Sequence, residues 1–218
     1  MYVFYSNGTE GLNMKHIVIT ISRQFGSGGR EIGKRVADQL GIPFYDRELI
    51  TAAAEKTGLD EKLFEKVDQR GTSNLSYSLS EYGIAVRNLD RMWNVEDLYL
   101  TQSEVIRELA GKGSCVIVGR CADHVLADNP NHFSVFVNAP MEARIHRVSE
   151  QPDQPLKNAQ HPRNVLERMD KQRATYYNYY TGKVWGKAEN YDLCVNSHSI
   201  GIDASVSLIL SAVSGLTE

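Results

Sequence analysis

The chain has 218 residues, of which 42% are hydrophobic, with 24 basic and 27 acidic side chains and a formal net charge of −3. That length makes one fairly large domain, or a domain with insertions, able to bury a substantial core without disulfide or metal staples. The slight acidity excludes a general affinity for nucleic acid or membrane surfaces but leaves room for local basic clusters that bind phosphate.

Residues 1 to 13 hold neither a basic n-region nor an apolar run long enough for a signal or membrane anchor. Met14-Lys15 stands directly before a strand pattern and reads as an alternative start. The expectation is a tail over 1–13 outside the fold and a domain over 14–218.

Ile17 to Ser22 are β-branched apart from Ser22, the composition of a buried strand. The cluster Gly26-Ser27-Gly28-Gly29 follows, and Ile32, Val36, Ala37 and Leu40 then recur at the spacing of a helix face. Strand, glycine turn and helix together are the signature of a phosphate cradle: glycines let the backbone approach an anion, and successive N–H groups converge on it at the positive end of the helix. A glycine-rich tight turn without a ligand is the plainer alternative.

Three nucleotide-site templates compete for this turn. A dinucleotide fingerprint at Gly26-x-Gly28 lacks its third glycine, where Glu31 stands, and is set too far from the strand. The literal G-x-x-x-x-G-K match at Gly28 to Lys34 puts Gly33 and Lys34 inside the helix, a turn past the glycines. The third register centres a P-loop on Gly26-Ser27-Gly28 and fits the strand. In that register the usual first glycine is Arg23, the usual lysine is Gly29, and the usual Ser/Thr positions hold Arg30 and Glu31. Arg30 or Arg23 is then the source of positive charge, and Ser27 the candidate hydroxyl.

The first helix should end near Gly41, before a short strand over 42–46. Asp46, at the carboxyl end of that strand, is either a helix cap or an acid at the ligand edge, and both roles are compatible. From Leu59 to about Asn94 the pattern is helical but poorly punctuated, either a substrate-binding insertion or a surface excursion. Residues 96–110 form an amphipathic helix leading into a strand at Cys115 to Arg120. Arg120, at a buried strand's carboxyl end, calls for an anionic partner unless it is simply solvated. A fourth strand spans 133–138, and Ala139-Pro140 opens a helix with Arg144 and Arg147 three apart on one face.

Residues 151–162 are polar and proline-rich, the composition of a mobile lid. Arg163, Arg168, Lys171 and Arg173 follow, then Tyr176-Tyr-Asn-Tyr-Tyr180, read as packing of lid against core in preference to base stacking. The last strand spans 191–196 and a closing helix 203–213. Three cysteines, Cys115, Cys121 and Cys194, are odd in number and lack C-x-x-C spacing, so they read as buried thiols of a reducing, cytoplasmic compartment.

From about Lys15 to its end the chain resembles the cytidylate kinase-like family, a divergent branch of the P-loop nucleoside monophosphate kinases. The resemblance rests on Ile21-Ser-Arg-Gln-Phe-Gly-Ser-Gly-Gly-Arg-Glu-Ile-Gly33, Asp170-Lys-x-Arg173-x-x-Tyr-Tyr177, Trp185-Gly186 and Tyr191-Asp-Leu-Cys-Val-Asn-Ser197. It implies an α/β, three-layer P-loop kinase fold with a central parallel sheet, a helical NMP-binding insertion (about 59–95) and an arginine-bearing lid (about 150–185). Val118-Gly-Arg120 matches the family's Asp-Gly-Arg, which maps Arg120 onto a substrate-phosphate arginine, with Val118 in place of the acid.

The resemblance further implies ATP with Mg²⁺ as cofactors and nucleotides as substrates, without nucleic acid or membrane partners; no oligomeric state can be read from the sequence. The expected activity is ATP-dependent transfer to a nucleoside monophosphate, CMP or dCMP first. Gly26, Ser27, Gly28, Gly29, Arg23 and Arg163 are the expected phosphate-binding residues, Arg30, Arg120, Arg168 and Arg173 the catalytic ones, and Asp46 the Mg²⁺ anchor. The rival readings are a nucleotide-binding module without turnover and a kinase of a non-nucleotide small molecule.

Overall fold

A computed structural model describes residues 16–46, 95–150 and 161–214, with Leu49, Thr51, Ala52 and Lys56 between them. The expected tail, the greater part of the expected insertion and residues 151–160 of the expected lid lie outside the described residues. Strand β1 (Val18–Arg23) is the centre of a five-stranded sheet with β2 (Phe44–Tyr45), β3 (Cys115–Val118), β4 (His132–Asn138) and β5 (Leu193–Asn196). The order is β2-β3-β1-β4-β5. Every neighbouring pair is parallel.

Parallel strands need crossover connections, and here helices cover both faces. On one face Ile19 and Ile21 of β1 and Val116 and Val118 of β3 pack against Ile32 and Val36 of α1 (Gly29–Leu40) and Val206 and Ile209 of α6 (Ser197–Ser214). Val18, Cys115 and Ile117 point the other way and pack on Leu98, Val105 and Ile106 of α2 (Val95–Lys112). This is the period-two alternation of a strand buried on both sides. Burial of each of these Ile and Val side chains stabilises the fold by about 1.5–3 kcal/mol.

Helix α1 stops where the sequence predicts, at Gly41, whose left-handed φ of +66° lets its N–H reach the carbonyls of Ala37 and Asp38. Strand β2 is shorter than its pattern because Pro43 has no N–H to give to the ladder, although its carbonyl accepts the Val116 N–H at 2.9 Å. The closing helix is longer than expected: α6 runs through residues 197–214 with a break at Gly201 (φ +81°, ψ 168°). Cys115 and Cys121 are buried thiols, but Cys194 is exposed. It alternates with buried Val195 on β5, an edge strand whose outward side chains are not enclosed.

Because β1 lies between β3 and β4, the chain reverses its direction of travel across the sheet at β1. In open α/β sheets the crevice outside the carboxyl ends of the strands at such a point is where ligands bind. The loop after β1 opens there.

Candidate functional site

Residues Gln24 to Gly28 join β1 to α1. Gly26 and Gly28 take left-handed φ values of +77° and +82°. Space constrains Gly26 as well, since a Cβ there would lie 2.9 Å from the Arg144 carbonyl oxygen. The loop is tied at each step. The Gln24 N–H donates to the Val137 carbonyl at 3.0 Å. Ser27 Oγ donates to the Gln24 carbonyl at 2.9 Å, and Ser197 Oγ donates to the Ser27 carbonyl at 2.5 Å. Ser27 is fully buried, so its hydroxyl serves the loop itself.

The first bond into α1 runs from the Ile32 N–H to the Gly28 carbonyl at 2.9 Å. The amides of Gly29, Arg30 and Glu31 therefore precede the helical ladder and sit at the positive end of the helix. All three residues line a cavity of about 450 Å³. Arg23, Arg30, Lys34, Arg35, Arg147 and Arg173 put cations on its wall, against the single carboxylate of Glu31. A basin with that charge balance, floored by helix N-terminal amides, suits a polyanion.

Asp46 is buried at the end of β2 and faces two of these cations. It accepts a hydrogen bond from Arg30 Nε at 2.6 Å and lies 3.7 Å from Arg23 Nη2. Burial pushes the Arg23 pKa down, with Asp46 opposing and Arg30 reinforcing the shift. Burial and the neighbouring Arg23 likewise push Arg173 down, partly offset by Asp170 and Asp46 and reinforced by Arg120. Arg173 Nη1 donates to the Arg23 carbonyl at 3.1 Å, and its guanidinium lies 5.4 Å from the Phe25 ring centre. Arginines thus converge from the end of β1, the end of β3 and the helix α5 (Pro162–Thr181). Like charges gathered in a desolvated place gain most from an anion between them.

Arg120 does not line the cavity; it lies near enough to Arg173 to oppose its charge, and it is carried on an unusual backbone. Gly119, Arg120 and Cys121 have successive φ values of +78°, +61° and +54° before the short helix α3 (Ala122–Val125). Two consecutive non-glycine residues in this region are strained, and such strain clusters at functional sites. Val118, in the position of the family's acid, is fully buried in the core.

The structure thus brings Arg23, Gly26, Gly28, Gly29, Arg30 and Arg173 around one cavity, with Ser27 buried within the loop and Asp46 paired to Arg30 and Arg23. Arg163 and Arg168 stand apart: both are exposed, neither lines the cavity, and Arg163 pairs with Glu142. The tyrosines of α5 pack. Tyr176 Oη donates to Gln102 Oε1 at 3.0 Å, Tyr177 Oη donates to Asp123 Oδ2 at 2.8 Å, and Tyr99 stacks on Tyr180 with ring centres 4.0 Å apart. Burial raises the Asp123 pKa, and the Tyr177 bond partly counters it.

A second set of residues holding the loop was visible in the sequence only as spacing. Arg144 and Arg147 lie on α4 (Met141–Ser149), and Arg147 Nη1 donates to the Gly26 carbonyl at 2.9 Å. Arg144, almost wholly buried, donates from Nη1 to the Phe25 carbonyl at 3.1 Å and to Asp170 Oδ2 at 2.5 Å. Asp170 Oδ1 accepts the Phe25 N–H at 2.7 Å. The arginine repeat and the Asp170-x-x-Arg173 spacing were the available signals; their partner was not.

Among the described residues no three His, Cys, Asp or Glu side chains form a metal cluster. A Mg²⁺ that arrives on nucleotide phosphates and keeps its waters needs only one or two carboxylates; the candidate near the cavity-lining arginines at this end of the sheet is Asp46, which Arg30 and Arg23 now engage. No helix among the described residues is long and apolar enough to cross a membrane.

Over 211 residues the chain is 24% identical to a cytidylate kinase of Methanopyrus kandleri, covering 93% of this chain and 95% of that protein. It is 28% identical over 152 residues to a shikimate kinase of Bartonella quintana, spanning 70% of this chain and 62% of the relative. A crystal structure of an uncharacterized protein from Eubacterium ventriosum superposes with a TM-score of 0.65 at 29% identity, covering 91% of this chain and 98% of that one. The parallel sheet with helices on both faces is an α/β kinase fold, and the relatives support a kinase-type phosphotransfer. The family model of the cytidylate kinase-like family matches residues 18–199, and the chain belongs to that family.

Proposed function

We propose that this protein transfers the γ-phosphoryl group of ATP to a nucleoside monophosphate, CMP or dCMP first. The observation that carries the reading is the convergence of Arg23, Arg30 and Arg173 on one cavity that the first residues of α1, Gly29 to Glu31, also line. In the step, an oxygen of the acceptor's phosphate attacks the γ-phosphorus, the bond to the β–γ bridging oxygen breaks, and ADP leaves with that electron pair. Such transfer asks for alignment, exclusion of water and positive charge around the transferring oxygens. The amides of Gly26, Gly28 and Gly29, with Arg30 and Arg23, hold the donor phosphates, over a loop shaped by Ser27. Arg120 and Arg173 hold the acceptor's anion. Arg163 and Arg168, exposed and outside the cavity, would contribute only by closing on the phosphates in the reacting complex. Asp46 is the residue that would hold a Mg²⁺, exchanging its present bond from Arg30 for the ion, which would supply charge neutralisation at the donor phosphates. We place the protein in the cytoplasm, where such nucleotides are available.

A coupled assay for ADP formation with MgATP against CMP, dCMP, UMP, AMP and shikimate tests this. Turnover on CMP or dCMP well above the others is the expected result. The 28% identity to a shikimate kinase favours, as a second reading, an anionic small-molecule acceptor, and turnover on shikimate alone supports it. The third reading, a binding module, takes its support from Gly29 and Arg30 standing where a P-loop carries lysine and hydroxyl; tight MgATP binding with no turnover on any acceptor points to it.

A further inference from the structure

Arg23 is flanked by two glycines that the turn of the phosphate loop does not explain. Gly29 is the first residue of α1 and, unlike Gly26 and Gly28, has no left-handed φ, so any residue can adopt its backbone. What excludes a side chain is space. A Cβ on Gly29 would lie 2.6 Å from the Cβ of Arg23 and 3.1 Å from its Cγ, and the first of these distances is one that real Cβ atoms do not show. On the other side, a Cβ on Gly119 would lie 2.1 Å from Arg23 Nη1. The stem of Arg23 therefore runs past Gly29, and its guanidinium ends over Gly119, between the carboxyl ends of β1 and β3, with Asp46 3.7 Å from Nη2.

In the P-loop register, Arg23 occupies the place of the first glycine and Gly29 the place of the lysine. We propose that these two departures are one exchange. Arg23 supplies, from the end of β1, the phosphate-binding cation that the pattern supplies from the first turn of the helix, and its stem fills the volume that a side chain at position 29 would need. The inference rests on the phosphoryl-transfer reading above and deepens it by naming which arginine replaces the lysine. Arg30 also lines the cavity but is the weaker stand-in: its side chain is 63% exposed, its Nε is taken up by Asp46 at 2.6 Å, and its guanidinium lies 5.8 Å from the centre of the Phe44 ring. Arg23 is held inside the crevice, lines the cavity, and presents a planar fork that can bind two phosphate oxygens at once.

An exchange of this kind makes the two positions interdependent, and a mutant cycle reads that directly. Arg23→Gly is expected to weaken MgATP binding, measured by calorimetry, about ten- to hundredfold, the loss of one charge-assisted contact. Gly29→Lys alone is expected to be unstable or equally weak, because the lysine stem meets Arg23. The double variant Arg23→Gly/Gly29→Lys restores affinity to within about threefold of the parent, a strongly non-additive result. Unchanged affinity in Arg23→Gly, or a double variant that is folded yet no better than Arg23→Gly, overturns the proposal. A second cycle needs no nucleotide: Gly29→Ala is expected to lower Tm clearly more in the parent than in the Arg23→Gly background, where the Val137 Cβ at 3.2 Å still crowds the new methyl group, and equal effects in both also overturn it. Should the parent fail to bind MgATP while the Tm cycle remains coupled, the nucleotide reading fails and the steric exchange stands.

Discussion

Arg120 holds a backbone conformation that its side chain does not favour, with φ at +61° and Cys121 following at +54°. Left-handed backbone costs an ordinary residue about 1–2 kcal/mol, and asparagine tolerates it better. Arg120 keeps this strain beside Arg173, whose charge it opposes. Arg120→Asn is therefore expected to raise stability to denaturant by about 0.5–1 kcal/mol while weakening the acceptor. Steady-state kinetics should show the acceptor's KM raised about tenfold or more with the KM for ATP little changed, as removal of a ground-state anchor predicts. A destabilised Arg120→Asn with normal kinetics would make the arginine structural.

At the scale of elements, the loop after β1 is held from outside by two helices that meet at the Arg144–Asp170 pair. The pair is nearly closed to solvent, with side-chain exposures of 5% and 15%, and both members also bond the Phe25 peptide group. Helix α5 is thereby docked on the loop through Asp170 and, one turn on, through Arg173. Removing one partner of a buried ion pair leaves an uncompensated charge, so Arg144→Ala should cost about 3 kcal/mol in urea unfolding. Asp170→Asn should cost at least as much: with its oxygen still accepting the Phe25 N–H, the new amide NH₂ faces the Arg144 donor and leaves that more deeply buried cation uncompensated. If Arg144→Ala unfolds like the parent, α5 and the loop are not coupled through this pair.

For the molecule as a whole, acid sensitivity has an identifiable source in the sheet. His132 at the start of β4 lies 2.7 Å from Thr20 Oγ1. Burial lowers its pKa from the usual value, with Asp192 opposing. The folded protein therefore keeps His132 neutral at a pH where the unfolded chain, with a histidine pKa of about 6.5, already binds a proton. Stability supplied by the neutral ring is complete above that value and is lost as pH falls through it towards the folded pKa. Asp123 works in the opposite sense: burial raises its pKa, so its contribution is lost as pH rises through the interval above the ordinary carboxylate value. Denaturation between about pH 7 and pH 5 should show stability falling with acid, and His132→Gln should flatten that slope. An identical slope in the variant would assign the acid sensitivity elsewhere.

The sequence by itself determined the elements whose signal is local. Six β-branched and small residues made β1 legible, the glycine cluster made the loop legible, and the i, i+3, i+4 spacing from Ile32 to Leu40 made α1 legible, because strand, turn and helix each follow from backbone sterics and apolar periodicity over a few residues. Arg120 at a strand's carboxyl end was legible for the same reason. Tertiary structure alone decided which charges meet. Phe25 and Asp170 are 145 residues apart and Phe25 and Arg144 119 apart, and Arg173 reaches the carbonyl of Arg23 across 150. The exposure of Cys194 follows from β5 lying at the sheet edge, a matter of strand order that no local pattern carries. The room taken by Arg23 at Gly29 is likewise a fact of packing: two residues that look like independent departures along the chain compete for one volume in the folded molecule.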